Sequence, residues 1–292
     1  MRRRSDLQII ISFLAAPVII YTIIEVYAII SAFRISFTKW TGGVFEKVGF
    51  KNFIEIFYDR NAGIAATNTL VWTVVTTILT LVICFGLAVL LNTEWLKFKN
   101  AFKLIFIIPQ GIGFAAAGII WSVVYAPEMG ILNIILRNIG LRGAALPWLG
   151  DPRVALYALI FAQFWMRMGF YMIMFINRLQ TLPPNLVESA RIDGANTWQV
   201  LWKITIPLSR TVFMLVISLT IIDALKTFDV IFATTKGGPG LSTEVLGSLI
   251  YNEAFDQFNL GYASALSVVL FIFTMIITGI YLSIAMKGEE EI

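Results

Sequence analysis

The chain has no histidine and a single cysteine, Cys84, among its 292 residues. That excludes a disulfide framework, zinc ligation of the usual Cys/His kind and imidazole acid–base catalysis. Charge is scarce too, at 14%, where soluble domains carry about 25%. A chain so short of polar surface cannot cover a water-exposed globule, and it reads as an integral membrane protein. No G-x-x-x-x-G-K-[ST] phosphate loop occurs, so ATP cannot be held here in the P-loop manner. The net charge of +4 is not a nucleic-acid signal, because basic residues in membrane chains chiefly fix which loops stay in the cytoplasm.

What is present is apolar: 58% hydrophobic residues and a mean hydropathy of +0.82. Six long apolar stretches run Leu7–Ala32, Ala65–Leu91, Phe102–Tyr125, Val154–Ile176, Leu208–Ala233 and Gly261–Ala285. Each exceeds the roughly 20 residues that cross a hydrocarbon core. Backbone in lipid must satisfy its own hydrogen bonds, so these stretches are expected to be helices. An even number places both termini on one side. Arg2-Arg3-Arg4 precedes an apolar run too long for a signal peptide, with no small-x-small cleavage site after it, and reads as the cytoplasmic start of a retained helix. Basic residues are nearly balanced in number between the two sides, but are denser on the side of the termini, which favours a cytoplasmic placement. Between the stretches, Arg34–Ile64 reads as a folded external loop or short surface helix. Asn92–Ala101 is a short basic turn, Ala126–Arg153 an external cap with a short helix, and Thr234–Leu260 a segment rich in turn formers around Lys236–Gly240.

The loop between the fourth and fifth stretches, 183–207, is the most informative. Asn185 with Glu188, and Asn196 with Gln199, both have capping-box spacing, and Gly194 is a natural stop for the first of two helices. Ala190 and Gly194 lie one turn apart and form a small-residue face that admits a close partner. Trp198, Leu201, Trp202 and Thr205 fall at helical spacing with Lys203 off that stripe, as in an amphipathic helix at a membrane interface. The expected result is a stiff two-helix elbow.

The run Glu188-Ser189-Ala190-x-x-Asp193-Gly194-Ala195, followed by Ile204-Thr205-Ile206-Pro207, resembles the EAA loop of ABC importer permeases, E-A-A-x-x-D-G-A then I-x-L-P. Ser189 and Ile206 are the departures. Lys226-Thr227-Phe228-Asp229 leading to Gly237-Gly238-Pro239 resembles the segment closing the fifth span in the carbohydrate branch, which includes the maltose-type and multiple-sugar permeases. The resemblance covers essentially the whole chain. It implies an all-α integral membrane protein of the type I importer permease fold, with six transmembrane helices and a cytoplasmic coupling loop docking on an ATPase through Glu188, Ser189, Ala190, Asp193, Gly194 and Ala195. It further implies a sibling permease, two ATPase subunits that bind ATP and Mg, an external solute-binding protein, a carbohydrate cargo and membrane lipid as partners, with no nucleic acid. Residues 1–292 would be a single permease domain without catalysis or cofactor of its own, multi-pass in a bacterial inner membrane with both termini cytoplasmic.

Charges inside spans are costly unless shielded, so Glu25, Arg167, Asp223 and Lys226 stand out. At 1.5 Å per residue, Asp223 and Arg167 lie about 7 Å apart along the membrane normal, within an extended arginine's reach. They are expected to face one water-filled interior and to pair; the competing reading is a structural ion pair between packed helices. Thr220, Asp223 and Thr227 share one face at i, i+3 and i+7. Hydroxyl and carboxylate groups suit sugar hydroxyls, and Phe170 or Tyr171 suits stacking on a sugar ring. Threonines in membrane helices also commonly bond their own backbone. By the resemblance, sugar-contacting positions fall near Met166, Arg167, Phe170, Thr220, Asp223, Ala224 and Thr227. Two other readings stay open: an importer of a glycerol-phosphate-like ester with Arg167 and Lys226 as anion partners, and an ion-coupled secondary transporter, in which the EAA loop has no expected role.

Overall fold

A computed structural model describes residues 13–93 and 96–287, with side chains at 282 and 284–287 excepted. The Arg2–Arg4 cluster and both chain ends lie outside the described residues. In chain order the elements are α1 (Phe13–Ser36), β1 (Thr38–Trp40), β2 (Phe45–Lys47), α2 (Lys51–Tyr58), α3 (Arg60–Asn92), α4 (Lys99–Gly111), α5 (Phe114–Val124) and α6 (Ile131–Asn138). Then follow α7 (Ala155–Gln180), α8 (Pro184–Ile192), α9 (Thr197–Leu208), α10 (Arg210–Leu225), α11 (Asp229–Ala233), α12 (Leu246–Tyr251) and α13 (Leu260–Lys287).

Four helices, α1, α3, α7 and α13, are long and apolar enough to cross a membrane alone. The pairs α4–α5 and α9–α10 bring the number to six if each bent pair is one span. The third apolar stretch is therefore not a straight rod: α5 turns away from α4 by 107°. Pro109 heads a 3-10 turn there and Gly113 precedes α5 in extended conformation, so the helical ladder is interrupted at backbone level while the hydropathy stays high. The fifth stretch is also divided. It bends by 69° at Ser209, and its helix stops at Leu225 before the short α11.

The chain divides into two compact units, 1–60 with 250–272, and 61–249 with 273–292. In the first, α1 exposes its whole apolar window, including Glu25 in a π-helical turn. The loop after it forms a small hairpin, Trp40 opposite Phe45, followed by α2. Buried Asn52 ties the region together, its amide donating to Ser36 O at 2.7 Å and Thr38 O at 2.9 Å. Gly261 is required beside it, because a Cβ there would overlap Thr38 O. Tyr262 donates to Asp59 Oδ2 at 2.6 Å.

The second unit is built around α7. Its N-terminal half packs with Trp72 of α3, Ala224 and Ile231; its C-terminal half packs with Cys84, Phe85 and Val216. Gly169 lets α7 meet α4 at backbone distance, since a Cβ there would overlap the Phe106 carbonyl. The turn-rich segment after α11 folds on buried Glu244 and Thr243, whose hydroxyl donates to Gly238 O at 2.7 Å. Asn68 of α3 clamps it by donating to Leu241 O and Glu244 O at 3.1 and 2.8 Å. The helix expected inside Ala126–Arg153 is α6, and Asn133 is the hub of that cap. Its amide donates to Leu146 O at 2.9 Å while its Oδ1 accepts from Trp148 Nε1 at 2.8 Å.

Candidate functional site

The two helix breaks meet. A half-open pocket of about 170 Å3 is lined by Phe114 at the start of α5, Gln163 and Arg167 on α7, Asp223, Lys226 and Thr227 at the end of α10, and Phe228, Asp229 and Val230 leading into α11. Broken helices leave polar backbone and side chains that a continuous span would hide, and such ends are where membrane proteins build polar sites. The break after α10 is held open by a glycine contact. A Cβ on Gly247 of α12 would stand 2.5 Å from Thr227 O, so only glycine lets α12 back the turn. Gly118 brings α5 near α11 less tightly, since a Cβ there would stand 3.1 Å from Ala233 Cβ.

Arg167 Nη2 lies 3.3 Å from Asp223 Oδ2. The same oxygen accepts a hydrogen bond from the Tyr171 hydroxyl at 2.9 Å. The Arg167 guanidinium also lies over the Phe114 ring, 5.0 Å from its centroid. Gln163 and Thr227 join by their amide and hydroxyl, with Nε2 2.9 Å from Oγ1. At the C-terminal end of α7 Arg178 donates to Leu208 O, its Nε at 3.1 Å. From Arg178 through Tyr171 and Arg167 to Gln163, α7 is thus bonded in antiparallel register to Leu208, Asp223 and Thr227. Those are the two segments flanking the elbow.

The elbow itself is local chemistry. α8 ends in a Schellman motif: Gly194 has φ +84°, Ala195 N donates to Ala190 O at 2.9 Å and Gly194 N to Arg191 O at 3.0 Å. α9 opens with a full capping box, Gln199 N to Asn196 Oδ1 and Asn196 N to Gln199 Oε1, both 2.8 Å. The matching box expected at Asn185 is absent. α8 starts two residues earlier than that box implies, at Pro184, whose fixed φ suits the first helical position, and Pro183 is the N-cap without a side-chain bond. The single stripe expected on α9 also splits. Trp198 and Trp202 are exposed and pack edge to face at 5.6 Å, whereas Thr205 is buried and Leu201 joins the core.

Glu188, Ser189, Asp193 and Gly194 are exposed on this elbow, with Ala190 and Ala195 half-buried. Of the pathway candidates, Arg167, Asp223 and Thr227 line the pocket, and Phe170, Tyr171 and Thr220 do not. Tyr171 is buried and engaged with Asp223, so its ring offers no stacking face. Thr220 is buried and donates to Val216 O at 2.7 Å. Thr227 stands beyond the end of α10, off the helical face that its i+7 spacing implied. The sequence reading passed over Gln163, Phe114 and Asp229. Gln163 had a signal, an amide four residues before Arg167 in an apolar run; Phe114 had none, because the α4–α5 break puts it there.

The family model for binding-protein-dependent transport system inner membrane components matches residues 85–287. A probable ABC transporter permease protein of Pyrococcus horikoshii is 31% identical, with 100% of both chains covered. A trehalose/maltose transport system permease protein of Thermococcus litoralis is 31% identical, covering 81% of this chain and 79% of its own. Among solved structures, a bacterial ABC transporter involved in importing the acidic polysaccharide alginate has the same fold, with a TM-score of 0.81 at 20% identity over 98% of this chain and 99% of that one. The chain belongs to the binding-protein-dependent transport system inner membrane components, the permease family of ABC importers.

Proposed function

We propose that this chain is one of two permease subunits in a sugar importer, that its six spans include both bent pairs, and that cargo passes the pocket between Phe114, Arg167 and Asp223. In this reading α8 and α9 form the cytoplasmic coupling loop within 183–207 of a single 1–292 permease domain, both termini are cytoplasmic, and ATP and Mg are bound by separate ATPase subunits. A sibling permease completes the pathway and an external binding protein delivers the sugar. The sugar assignment draws on the trehalose/maltose relative and on the mixed donor, acceptor and aromatic lining.

The observation that carries the reading is the set of bonds between α7 and the segments that flank the elbow. Because Arg178, Tyr171, Arg167 and Gln163 hold Leu208, Asp223 and Thr227, a push on the elbow has a bonded route to the pocket that spans the bend at Ser209. The importer class is favoured over an ion-coupled transporter because the exposed elbow, with its Schellman stop and capping box, has no task there.

The test is uptake by the assembled transporter in proteoliposomes. Glu188→Lys is expected to abolish coupled uptake while cargo delivery by the binding protein is retained. Asp223→Ala is expected to reduce uptake at unchanged complex yield. Full uptake in Glu188→Lys removes the coupling role; full uptake in Asp223→Ala removes the pocket from the pathway.

A further inference from the structure

Resting on the reading of the pocket as a cargo site, we infer that it selects uncharged polyhydroxy cargo and rejects anionic sugars. The cargo names among similar proteins point both ways, trehalose/maltose on the neutral side and sulfoquinovosyl glycerol, sn-glycerol-3-phosphate and alginate on the anionic side, so the discrimination must be read from the side chains.

Four ionisable groups line the pocket, Arg167 and Lys226 against Asp223 and Asp229, so the lining has no net charge. The deeper cation is already committed. Arg167 sets Nη2 against Asp223 Oδ2 and its face on Phe114, and its Nε is buried without a hydrogen-bond partner, out of reach of cargo. An anion at Arg167 would compete there with a carboxylate that Tyr171 also holds. The remaining cation, Lys226, is exposed at the rim, three residues from the exposed Asp229.

Hydrogen-bond inventory gives the same answer. Asp223 takes its described bonds on Oδ2 alone, which leaves Oδ1 available as an acceptor on a residue that lines the pocket, and Asp229 is a second acceptor in the lining. A sugar hydroxyl can donate to a carboxylate and accept from Lys226 at once. A phosphate, sulfonate or uronate group only accepts at neutral pH, and would leave both carboxylates opposed by like charge. Like-charge juxtaposition disfavours such a group, and a tenfold preference needs only about 1.4 kcal/mol.

The matched probes are trehalose and trehalose 6-phosphate, which share a skeleton and differ in one charged group. Each is titrated at millimolar concentration onto the purified transporter complex in nanodiscs without its binding protein, with binding read by ligand-observed NMR. The expected result is trehalose favoured by about tenfold or more, with the preference narrowed severalfold by Asp229→Asn. Asp223→Asn does the same if it folds; Asp229, exposed and outside any described bond, keeps the test independent of folding. Equal or tighter binding of the phosphate by the unaltered complex overturns the inference and leaves the cargo site standing. A preference for trehalose that Asp229→Asn does not narrow overturns it too, since charge is then not the cause. If neither probe binds in a way that Asp223→Asn weakens, the pocket is not on the cargo path and both readings go.

Discussion

Gly169 sits on α7 two residues after Arg167, and its missing side chain sets how close α4 comes to the pocket wall. Adding a Cβ would force it into the Phe106 carbonyl, a backbone atom that cannot swing aside. Gly169→Ala is expected to destabilise the chain by about 1–3 kcal/mol, in the range of overpacked cores, seen as a lower melting temperature of the detergent-solubilised complex. An unchanged melting temperature would show that α4 shifts freely. Outside the spans, Asp151 accepts from Arg153 N at 2.9 Å and Arg153 Nη2 at 2.8 Å, and these bonds hold its carboxyl down to about 2. A depressed carboxyl contributes stability above its unfolded pKa and loses it as pH falls through the folded one. Amide protection in the Asp151–Val154 turn is therefore expected to be flat from pH 8 to pH 4 and to fail only in stronger acid. Loss of protection near pH 5 would contradict the pairing.

Arg167 and Asp223 were legible in the sequence because a charge in an apolar run demands a partner, and reach alone allowed the pair that forms at 3.3 Å. Tyr171 and Thr220 stand outside the pocket lining for a physical reason. A hydroxyl in the core of a membrane bundle finds an internal acceptor first, here Asp223 and the Val216 carbonyl, and sequence does not say which way it turns.

Among elements, the elbow was the most legible, because caps and stops are decided within a few residues. Gly194 and the Asn196–Gln199 box form as their spacing implies. The box at Asn185 failed because Pro184 sets the helix start by its ring. Gly194→Ala must hold an L side chain at φ +84°, which costs roughly 1–2 kcal/mol. Frayed α8 and weakened ATPase coupling are expected, with Gly194→Asn recovering part of both; equal activity in Gly194→Ala would mean that the stop is not needed. The helix breaks were not legible. Hydropathy averaged over a span stays high through Pro109 and Gly113, and the stop after Leu225 depends on Gly247 from a distant helix. The hairpin strands, three residues each, are too short to show alternation.

For the whole molecule, the composition is that of a membrane protein, and in the importer proposed above separate subunits hydrolyse the ATP. Purified alone it is expected to hydrolyse no ATP, and to co-purify with ATPase subunits when co-expressed; ATP turnover by the isolated chain would overturn the division of labour. The exposed, apolar first helix α1 leaves a large surface for lipid or for a sibling permease. Cys84, the lone thiol, is buried, so an added cysteine on the elbow can be labelled cleanly. The decisive measurement places that cysteine at Ser189 and asks which side of the membrane reaches it and what it crosslinks to. The account predicts modification only from the cytoplasmic side and a crosslink to an ATPase subunit that changes in yield when ATP is added. Modification from outside, or an intact complex that gives no crosslink in any nucleotide state, would contradict it.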